Sequence, residues 1–224
     1  MTTTGPRVCI AYLHPGTVRA EFMDSVLRTI QSHPKFEWSR IAVYSGADIT
    51  RGRNAAFEEA SRLVPEIDYL WFLDADSVFE PNVIDLLLED RYDDDQIRSA
   101  LVMGQHANGT LFPAYRQFER GGKGLRPGTG AEVRQAAKGR ATLQVAAFGM
   151  ACVVIPRKAL MTMRRDRSSG ELWPFAEVQW PEVMGYGTTE DDVTFCLRAM
   201  HAGFERVLDV DAKVGHVKDR VVWP

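Results

Sequence analysis

The sequence is poor in cysteine, and its cysteines form no metal-binding or disulfide pattern. Cys9, Cys152 and Cys196 are an odd number of thiols, far apart in the chain and without a CxxC pair. Such spacing indicates neither a disulfide framework nor a zinc knuckle. We therefore expect buried free thiols in a protein that works in the reducing cytoplasm.

Long apolar runs and an excess of basic residues are also missing. No window approaches the roughly 18 apolar residues of a membrane-spanning helix, and the first residues lack the basic start and apolar run of a signal peptide. The formal net charge of -3 lacks the basic excess typical of proteins that mainly bind nucleic acid. We expect no membrane span, and nucleic acid is not the first partner to consider.

The composition that remains is that of an ordinary globular protein. Hydrophobic residues make up 45% and charged residues 25% of a 224-residue chain. This length can bury a substantial core, and no change in composition marks a boundary within it. We therefore predict a single domain spanning residues 1–224.

Short apolar segments alternate with helical periodicity in the first third of the chain. Residues 8–13, 41–44 and 69–73 are predicted strands, separated by predicted helices over residues 18–30 and 51–63. This order predicts an α/β protein, in which the central sheet is mainly parallel and functional residues gather at the carboxyl ends of its strands.

The pattern continues with less regularity after residue 80. Pro81 predicts the start of a helix, residues 99–104 and 145–155 are predicted buried strands, and residues 157–164 a further helix. Thr189 is a plausible cap for a helix that ends at Gly203, and one or two short strands follow. Glycine-rich residues 121–130, flanked by Arg120, Arg134, Lys138 and Arg140, predict a mobile basic loop, either a linker or a lid.

Two aspartates stand one residue apart at the end of the third predicted strand, in "YLWFLDADSVFEP". Asp74 and Asp76 can turn toward the same cleft, where their mutual repulsion would be relieved by a divalent cation. Oxygen donors of this kind suit Mg²⁺ or Mn²⁺ bridged to a substrate phosphate. The alternative is structural, with Asp74 ending the strand and Asp76 capping the next turn.

Three other features could complete such a site. Arg51 and Arg53 open the second helix, where guanidinium groups could bind a diphosphate or simply face solvent. The acidic triplet Glu190, Asp191 and Asp192 begins a later helix. Its carboxylates could be oriented toward the site by the helix start, or they could be ordinary helix caps. His216, in "VGHVK", is a candidate metal ligand or a core histidine.

Together and in this order, these segments resemble the nucleotide-sugar-dependent glycosyltransferases of the A-type fold, especially the family 2-like group. The resemblance rests on "GRNAAFEEA", "YLWFLDADSVFEP", "TTEDDVTFCLRAMHAGFERVLDV" and "VGHVK", and it spans residues 7–218. It implies a Rossmann-like α/β/α sandwich. It also implies a half that binds the nucleotide sugar, about residues 7–104, and an acceptor half, about residues 105–218.

The resemblance also implies roles for particular residues. Asp74, Ala75 and Asp76 match the metal and diphosphate motif, in which Asp76 is the favoured direct metal ligand. His216 matches a late histidine that completes the metal site in some relatives. Donor-binding positions are implied at Leu13, His14, Pro15, Asp48, Arg51, Arg53, Asn54 and Gly149. The expected donor is a UDP- or GDP-linked sugar with Mn²⁺ or Mg²⁺, and the acceptor is open: a protein, a glycan, a small molecule or a modified DNA base.

The general base is ambiguous because the usual acid pair is replaced by three acids. Alignment on the residues that follow favours Asp192 slightly over Asp191. A carboxylate at a helix start has its pKa lowered by the helix dipole, so we expect this base to depend on position more than on basicity. Inverting and retaining transfer both stay open.

Other functions compete for the same residues. "FLDADSV" also fits the start of haloacid-dehalogenase-like phosphatases, although that motif normally ends the first strand, and here at least two strands precede it. A nucleotidyltransferase would show a glycine-rich basic loop after the first strand, which "YLHPG" lacks. A non-catalytic sugar-nucleotide or glycan-binding module is the remaining alternative.

Overall fold

The fold was analysed in a computed structural model that describes residues 5–89, 92–106, 108–119, 124–139, 142–164, 174–175, 190–217 and 221–222. The strands are β1 Arg7–His14, β2 Glu37–Tyr44, β3 Tyr69–Asp74, β4 Ser77–Phe79, β5 Gln96–Gln105, β6 Leu111–Pro113, β7 Tyr115–Phe118, β8 Leu125–Pro127, β9 Thr142–Gln144, β10 Ala147–Phe148, β11 Cys152–Pro156, β12 Glu205–Val217 and β13 Val221–Val222. The helices are α1 Ala20–Ser32, α2 Ile49–Arg62, α3 Val83–Leu87, α4 Gly130–Lys138, α5 Arg157–Met163 and α6 Asp191–His201.

A mostly parallel central sheet organises the single domain, as predicted. Its main order is β13-β12-β5-β11-β3-β1-β2. Strand β1 pairs in parallel with β2 and β3, and β12 with β5, whereas β11 runs antiparallel between β3 and β5. Strands β1 and β3 are nearly continuous apolar runs because both faces of a parallel sheet are covered.

Two hydrophobic cores lie on the two faces of this sheet. One contains Phe22, Val26 and Ile84 from helices α1 and α3, and the other contains Phe57, Leu160 and Phe195 from α2, α5 and α6. This is the α/β/α layering that the resemblance implies. No helix in the described part of the chain is long and apolar enough to cross a membrane.

The region predicted as one strand over residues 145–155 is interrupted, so that prediction is wrong. Strand β10 pairs with β7 in a separate three-stranded sheet, while β11 enters the central sheet. Between them, the backbone amide of Gly149 donates to the carbonyl of Ala114 at 3.1 Å. The chain changes sheets here, which apolar content alone does not reveal.

The predicted mobile loop over residues 121–130 is also partly wrong, although residues 121–123 lie outside the described part. Strand β8 and helix α4 occupy Leu125–Pro127 and Gly130–Lys138. The hydroxyl of Thr129 accepts a hydrogen bond from the Glu132 amide, and the Glu132 carboxylate accepts from the Thr129 amide. This reciprocal capping starts a helix that glycine content had obscured.

Strand β12 is a single strand of 13 residues with an irregularity in its middle. Its pairing with β5 skips from Asp209 to Lys213. The Asp209 carboxylate stabilises the bulge by accepting from the amides of Asp211 and Ala212, at 2.8 and 3.1 Å. Beyond the bulge, β12 pairs with β4, and this pairing sets the position of His216.

Candidate active site

Strand β3 delivers the aspartate pair to the carboxyl edge of the sheet. The turn after it is tied to one carbonyl, that of Ala151, which accepts from the Asp74 amide and from the Ser77 hydroxyl, both at 3.0 Å. The carbonyl of Asp76 in turn accepts from the Val217 amide at 2.8 Å. Both carboxylates are therefore held on an ordered turn rather than on a free loop.

His216 joins the two aspartates from the other end of the chain. It lies opposite Ser77 in the antiparallel pairing of β4 with β12. One ligand atom from each of Asp74, Asp76 and His216 lies within 4.8 Å of the other two. The Nε2 atom of His216 is buried and has no hydrogen-bond partner among the described residues. Two carboxylates and an unpartnered imidazole nitrogen form a donor set that fits a divalent cation.

A cleft of about 780 Å³ opens in front of the aspartate pair. Among the predicted donor residues it contains Leu13, Pro15, Arg53, Asp74, Ala75 and Asp76. The structure adds a wall that the sequence analysis missed, the start of α1 with the residues before it, from Thr17 to Glu21. The order strand, loop, helix could have predicted this wall, because a helix that follows a parallel strand begins at the same sheet edge.

His14 and Asp48 have local structural contacts beside this cleft. The Nδ1 atom of His14 accepts from the Gly16 amide at 3.2 Å, which orders the turn containing Pro15. Gly16 has a φ of 120°, a conformation that favours glycine. The Asp48 carboxylate accepts from the Arg51 amide at 2.8 Å and so caps the start of α2.

The two arginines of α2 point to different places. Arg53 is buried and lines the cleft, whereas Arg51 is exposed and lines a separate depression with Thr50 and Glu58. Arg51 and Arg53 do not aim at the same site as expected. They are two positions apart on the helix, and at about 100° per residue their side chains point about 200° apart. Helical geometry alone could have separated them.

Asn54 has a structural contact. Its side-chain oxygen accepts from the backbone amide of Phe175 at 3.0 Å. Phe175 stacks on Phe195 of α6 with ring centroids 4.6 Å apart. Asn54 therefore ties α2 to the aromatic packing under α6.

The start of α2 lies very close to the exit of β2. A methyl group on Gly52 would lie 2.7 Å from the Cβ of Ser45 and 3.2 Å from the Leu13 side chain. Glycine at this position lets the helix approach the sheet edge, and the next residue, Arg53, then reaches the carboxylates there.

The acidic triplet begins α6 on the far side of Arg53. Glu190 occupies the N-cap position, with no side-chain capping bond, and Thr189, the predicted cap, lies outside the described residues. A second cleft, of about 650 Å³, is bordered by Asp48, Arg53 and all three acids. Arg53 and Ile49 line both clefts and so separate them.

Asp191 and Asp192 differ in their contacts. Asp191 Oδ1 accepts from Arg53 Nη1 at 2.8 Å and from the Asp192 amide at 3.0 Å, and its Oδ2 is buried. Asp192 Oδ1 accepts from the Val193 amide at 2.7 Å. Its Oδ2 lies 3.9 Å from the point where a Cβ on Gly149 would stand, so the predicted glycine of the site lies directly beside it.

Burial raises the pKa of Asp192 to about 6, against an ordinary value of 3.8. The charge of Arg53 and the bond from the Val193 amide oppose this rise, while Asp191 and Glu190 add to it. The position of Asp192 at a helix start predicts a lowered pKa, because the helix dipole favours the charged carboxylate. Desolvation outweighs that effect here because the carboxylate is buried.

Structural comparison identifies the fold, whereas no protein-family model and no curated protein sequence matches the chain. The crystal structure of GalNAc-T7 with UDP, GalNAc and Mn²⁺ aligns with a TM-score of 0.59 at 11% identity, over 95% of this chain and 44% of that one. The chain has the A-type glycosyltransferase fold. The crystal structure of A197 from STIV aligns with a TM-score of 0.51 at 15% identity, over 95% of this chain and 86% of that one.

These alignments concern architecture alone, because identity is so low. The chain spans less than half of the GalNAc-T7 structure. The UDP, GalNAc and Mn²⁺ named there belong to that protein.

Proposed function

We propose that the chain is a divalent-cation-dependent glycosyltransferase that moves a sugar from a nucleoside-diphosphate sugar to an acceptor hydroxyl. The observation that carries this proposal is the cluster of Asp74, Asp76 and His216 at the end of the large cleft, with ligand atoms within 4.8 Å of one another. A fold shared with a structure that holds UDP and Mn²⁺ supports it.

Asp76, Asp74 and His216 would hold the cation. When bound, Mn²⁺ or Mg²⁺ neutralises the charge that develops on a departing nucleoside diphosphate. The His216 nitrogen supports this assignment because a buried imidazole nitrogen without a partner is costly in a purely structural role. Mixed carboxylate and imidazole donors fit Mn²⁺, and the carboxylates alone also fit Mg²⁺.

The donor would occupy the cleft of about 780 Å³. Its nucleoside, from a UDP- or GDP-linked sugar, would lie against Leu13, Pro15 and the start of α1, with the diphosphate toward the aspartates. Asp48 and Asn54 have contacts that position α2, so their contribution to donor binding would be indirect.

Asp192 is the residue best suited to act as general base. Its carboxylate would accept the proton of the acceptor hydroxyl while that oxygen forms a bond to the anomeric carbon and the bond from this carbon to the diphosphate oxygen breaks. A base works best when its pKa lies near the working pH, and a pKa of about 6 meets that requirement better than an ordinary aspartate. Asp191 is less suited because its Oδ1 already accepts hydrogen bonds from the Arg53 guanidinium and from the Asp192 amide.

The acceptor would approach Asp192 through the second cleft or past Gly149. Both lie beside this carboxylate. A protein, a glycan, a small molecule or a modified DNA base would each supply the required hydroxyl. A carboxylate base acting directly on the acceptor corresponds to inversion at the anomeric carbon.

The phosphatase alternative is weakened by position, because its motif ends the first strand of a domain and here β3 follows β1 and β2. A binding module without catalysis would use the same cleft. Asp192 favours an enzyme over a binding module, because a half-buried carboxylate with a raised pKa suggests proton transfer.

The test is a thermal-shift screen of UDP-glucose, UDP-GlcNAc, UDP-GalNAc and GDP-mannose with and without Mn²⁺, followed by an assay of released nucleoside diphosphate. A ligand that binds only the folded state raises the melting temperature. Asp76→Asn should remove the Mn²⁺-dependent shift and the hydrolysis. Asp94→Asn, an exposed acid before β5 at the opposite sheet edge, is the matched control.

Three outcomes separate the alternatives. A Mn²⁺-dependent shift with hydrolysis supports the transferase. The same shift without hydrolysis or transfer indicates a binding module. Equal responses of the wild type and Asp76→Asn would contradict the cation site.

A further inference from the structure

Arg53 connects the two halves of the candidate site. Its Nη1 donates to Asp191 Oδ1 at 2.8 Å, and its Nη2 lies 3.5 Å from Asp74 Oδ1. Asp74 ends β3, Arg53 belongs to α2 and Asp191 begins α6. One guanidinium group therefore bridges the strand that carries the donor aspartates and the helix that carries the base.

The arginine is held tightly in this position. Only 9% of its side chain is exposed, and its Nε is buried without a hydrogen-bond partner in the described part of the chain. A buried guanidinium needs paired carboxylates to offset its desolvation. Lysine could not replace it fully, because a compact ammonium group lacks the planar fork that spans two carboxylates.

The contact with Asp191 extends to Asp192. The oxygen of Asp191 that accepts from Arg53 also accepts from the backbone amide of Asp192 at 3.0 Å. This amide belongs to the first turn of α6, where backbone donors have no partner within the helix. Arg53 thus fixes the carboxylate that in turn fixes the backbone of the base.

We propose that Arg53 is a positioning residue that binds Asp191 and Asp74 at the same time. In this way it fixes the first turn of α6, and therefore the Asp192 carboxylate, in one position relative to Asp74 and Asp76. The inference rests on the proposed function only in naming Asp192 as the base. The ion bridge itself belongs to the fold and can be tested without donor, cation or acceptor.

The ion bridge can be followed through the pKa of Asp192, because both of the residues that form it beside this carboxylate act on that pKa. Three charged groups act on this carboxylate: Arg53 of α2, Asp191 in the first turn of α6, and Glu190 at the N-cap of α6. Cys196 of α6 lies near it. Arg53 lowers the pKa of Asp192, whereas Asp191 and Glu190 raise it. Removing either end of the bridge should therefore move the titration of Asp192, in opposite directions.

The experiment follows the side-chain carboxyl signal of Asp192 by ¹³C NMR in the protein without metal or nucleotide. Asp192→Asn identifies the signal, and the wild-type midpoint is expected near 6. Arg53→Gln should raise the midpoint by about 1 pH unit, the lower end of the effect of an adjacent arginine on an aspartate. Asp191→Asn should lower it, and Arg53→Lys should leave it nearly unchanged.

Hydrogen exchange of the Asp192 backbone amide distinguishes a positioning role of Arg53 from a purely electrostatic effect of its charge on the Asp192 carboxylate. Loss of a hydrogen bond to a charged group should speed this exchange about tenfold or more in Arg53→Gln. Arg62→Gln is the control, because Arg62 lies on the same helix and pairs with Glu58 and Glu59 at the surface. It should change neither the midpoint nor the exchange.

An unchanged midpoint in Arg53→Gln, or a shifted midpoint with unchanged amide exchange, would overturn the positioning role. If Arg53→Gln does not fold, Arg53→Lys provides the test. In this variant the Asp192 amide should exchange faster, while the titration midpoint of the Asp192 carboxylate stays the same. With any nucleotide sugar that the wild type hydrolyses, Arg53→Lys should lower kcat by a larger factor than it raises the donor KM, because Arg53 also lines the donor cleft. If no nucleotide sugar is hydrolysed, the proposed function fails while the titration and exchange results still stand.

Discussion

Replacing Asp192 with asparagine should make the protein more stable at neutral pH, and it should remove the proposed sugar transfer. Burial raises the pKa of this carboxylate from 3.8 to about 6, and Asp191 and Glu190 repel its charged form further. The folded state therefore disfavours the ionised side chain. Asparagine is neutral and similar in shape, and its side-chain oxygen can keep the 2.7 Å bond from the Val193 amide.

The expected gain in stability follows from the shift in the pKa of Asp192. A rise of roughly 2 pH units at about 1.4 kcal/mol each corresponds to about 3 kcal/mol of unfolding free energy, as an upper value. Because the folded pKa lies above the unfolded one, the penalty is absent below about pH 4, grows between pH 4 and 6, and is complete above it. In a domain of this size, each kcal/mol shifts the melting temperature by about 2 to 4 °C.

The assay is urea unfolding of the wild type and Asp192→Asn at pH 4, 5 and 7.5. The two should have similar free energies of unfolding at pH 4, and the variant should exceed the wild type by about 1 to 3 kcal/mol at pH 7.5. Asp94→Asn, an exposed acid, should show no such pH dependence. A difference that is constant with pH, or a variant that is less stable at pH 7.5, would refute a pKa raised by burial.

Three further outcomes are expected from single substitutions. His216→Ala should weaken Mn²⁺ binding less than Asp76→Asn does, because a water can replace one neutral ligand, and calorimetric titration would measure this; a lower melting temperature even without Mn²⁺ would instead indicate a core histidine. Gly149→Ala should leave the melting temperature unchanged, since its Cβ would meet neighbours no closer than 3.8 Å, but it should reduce acceptor-dependent transfer more than donor hydrolysis; equal losses would place the acceptor elsewhere. Asn54→Ala should lower the free energy of unfolding by about 1 to 3 kcal/mol, because the buried Phe175 amide loses its partner, and urea denaturation at pH 7.5 would detect this.

Much of the candidate donor side could be predicted from local patterns. The segment before Asp74 is apolar at every position, which indicates a strand buried on both faces of a parallel sheet. A parallel strand exposes its functional residues at its carboxyl end, so the aspartate pair could be assigned to a cleft before any coordinates. Helix α2 was likewise predictable, and its periodicity could have separated Arg51 from Arg53.

The order within residues 121–155 was not predictable in the same way. Apolar residues 145–155 are shared between two sheets, and residues 125–138 form a short strand and a capped helix in a glycine-rich stretch. Composition reports that a segment is buried or polar. It does not report which sheet a strand joins, because pairing depends on partners distant in the chain.

The assembly of the site depended most on tertiary structure. Residue types and spacing alone identified Asp74, Asp76, His216 and the acidic triplet as candidate site residues, because local sequence determines where strands end and helices begin. The bulge at Asp209 and the pairing of β12 with β4 bring His216 to the aspartates. The bond from Arg53 to Asp191, 138 residues away, distinguishes the two candidate bases, and burial raises the pKa of Asp192 where the helix dipole alone would lower it. Desolvation and long-range ion pairing depend on what packs around a group, and only the folded chain determines that.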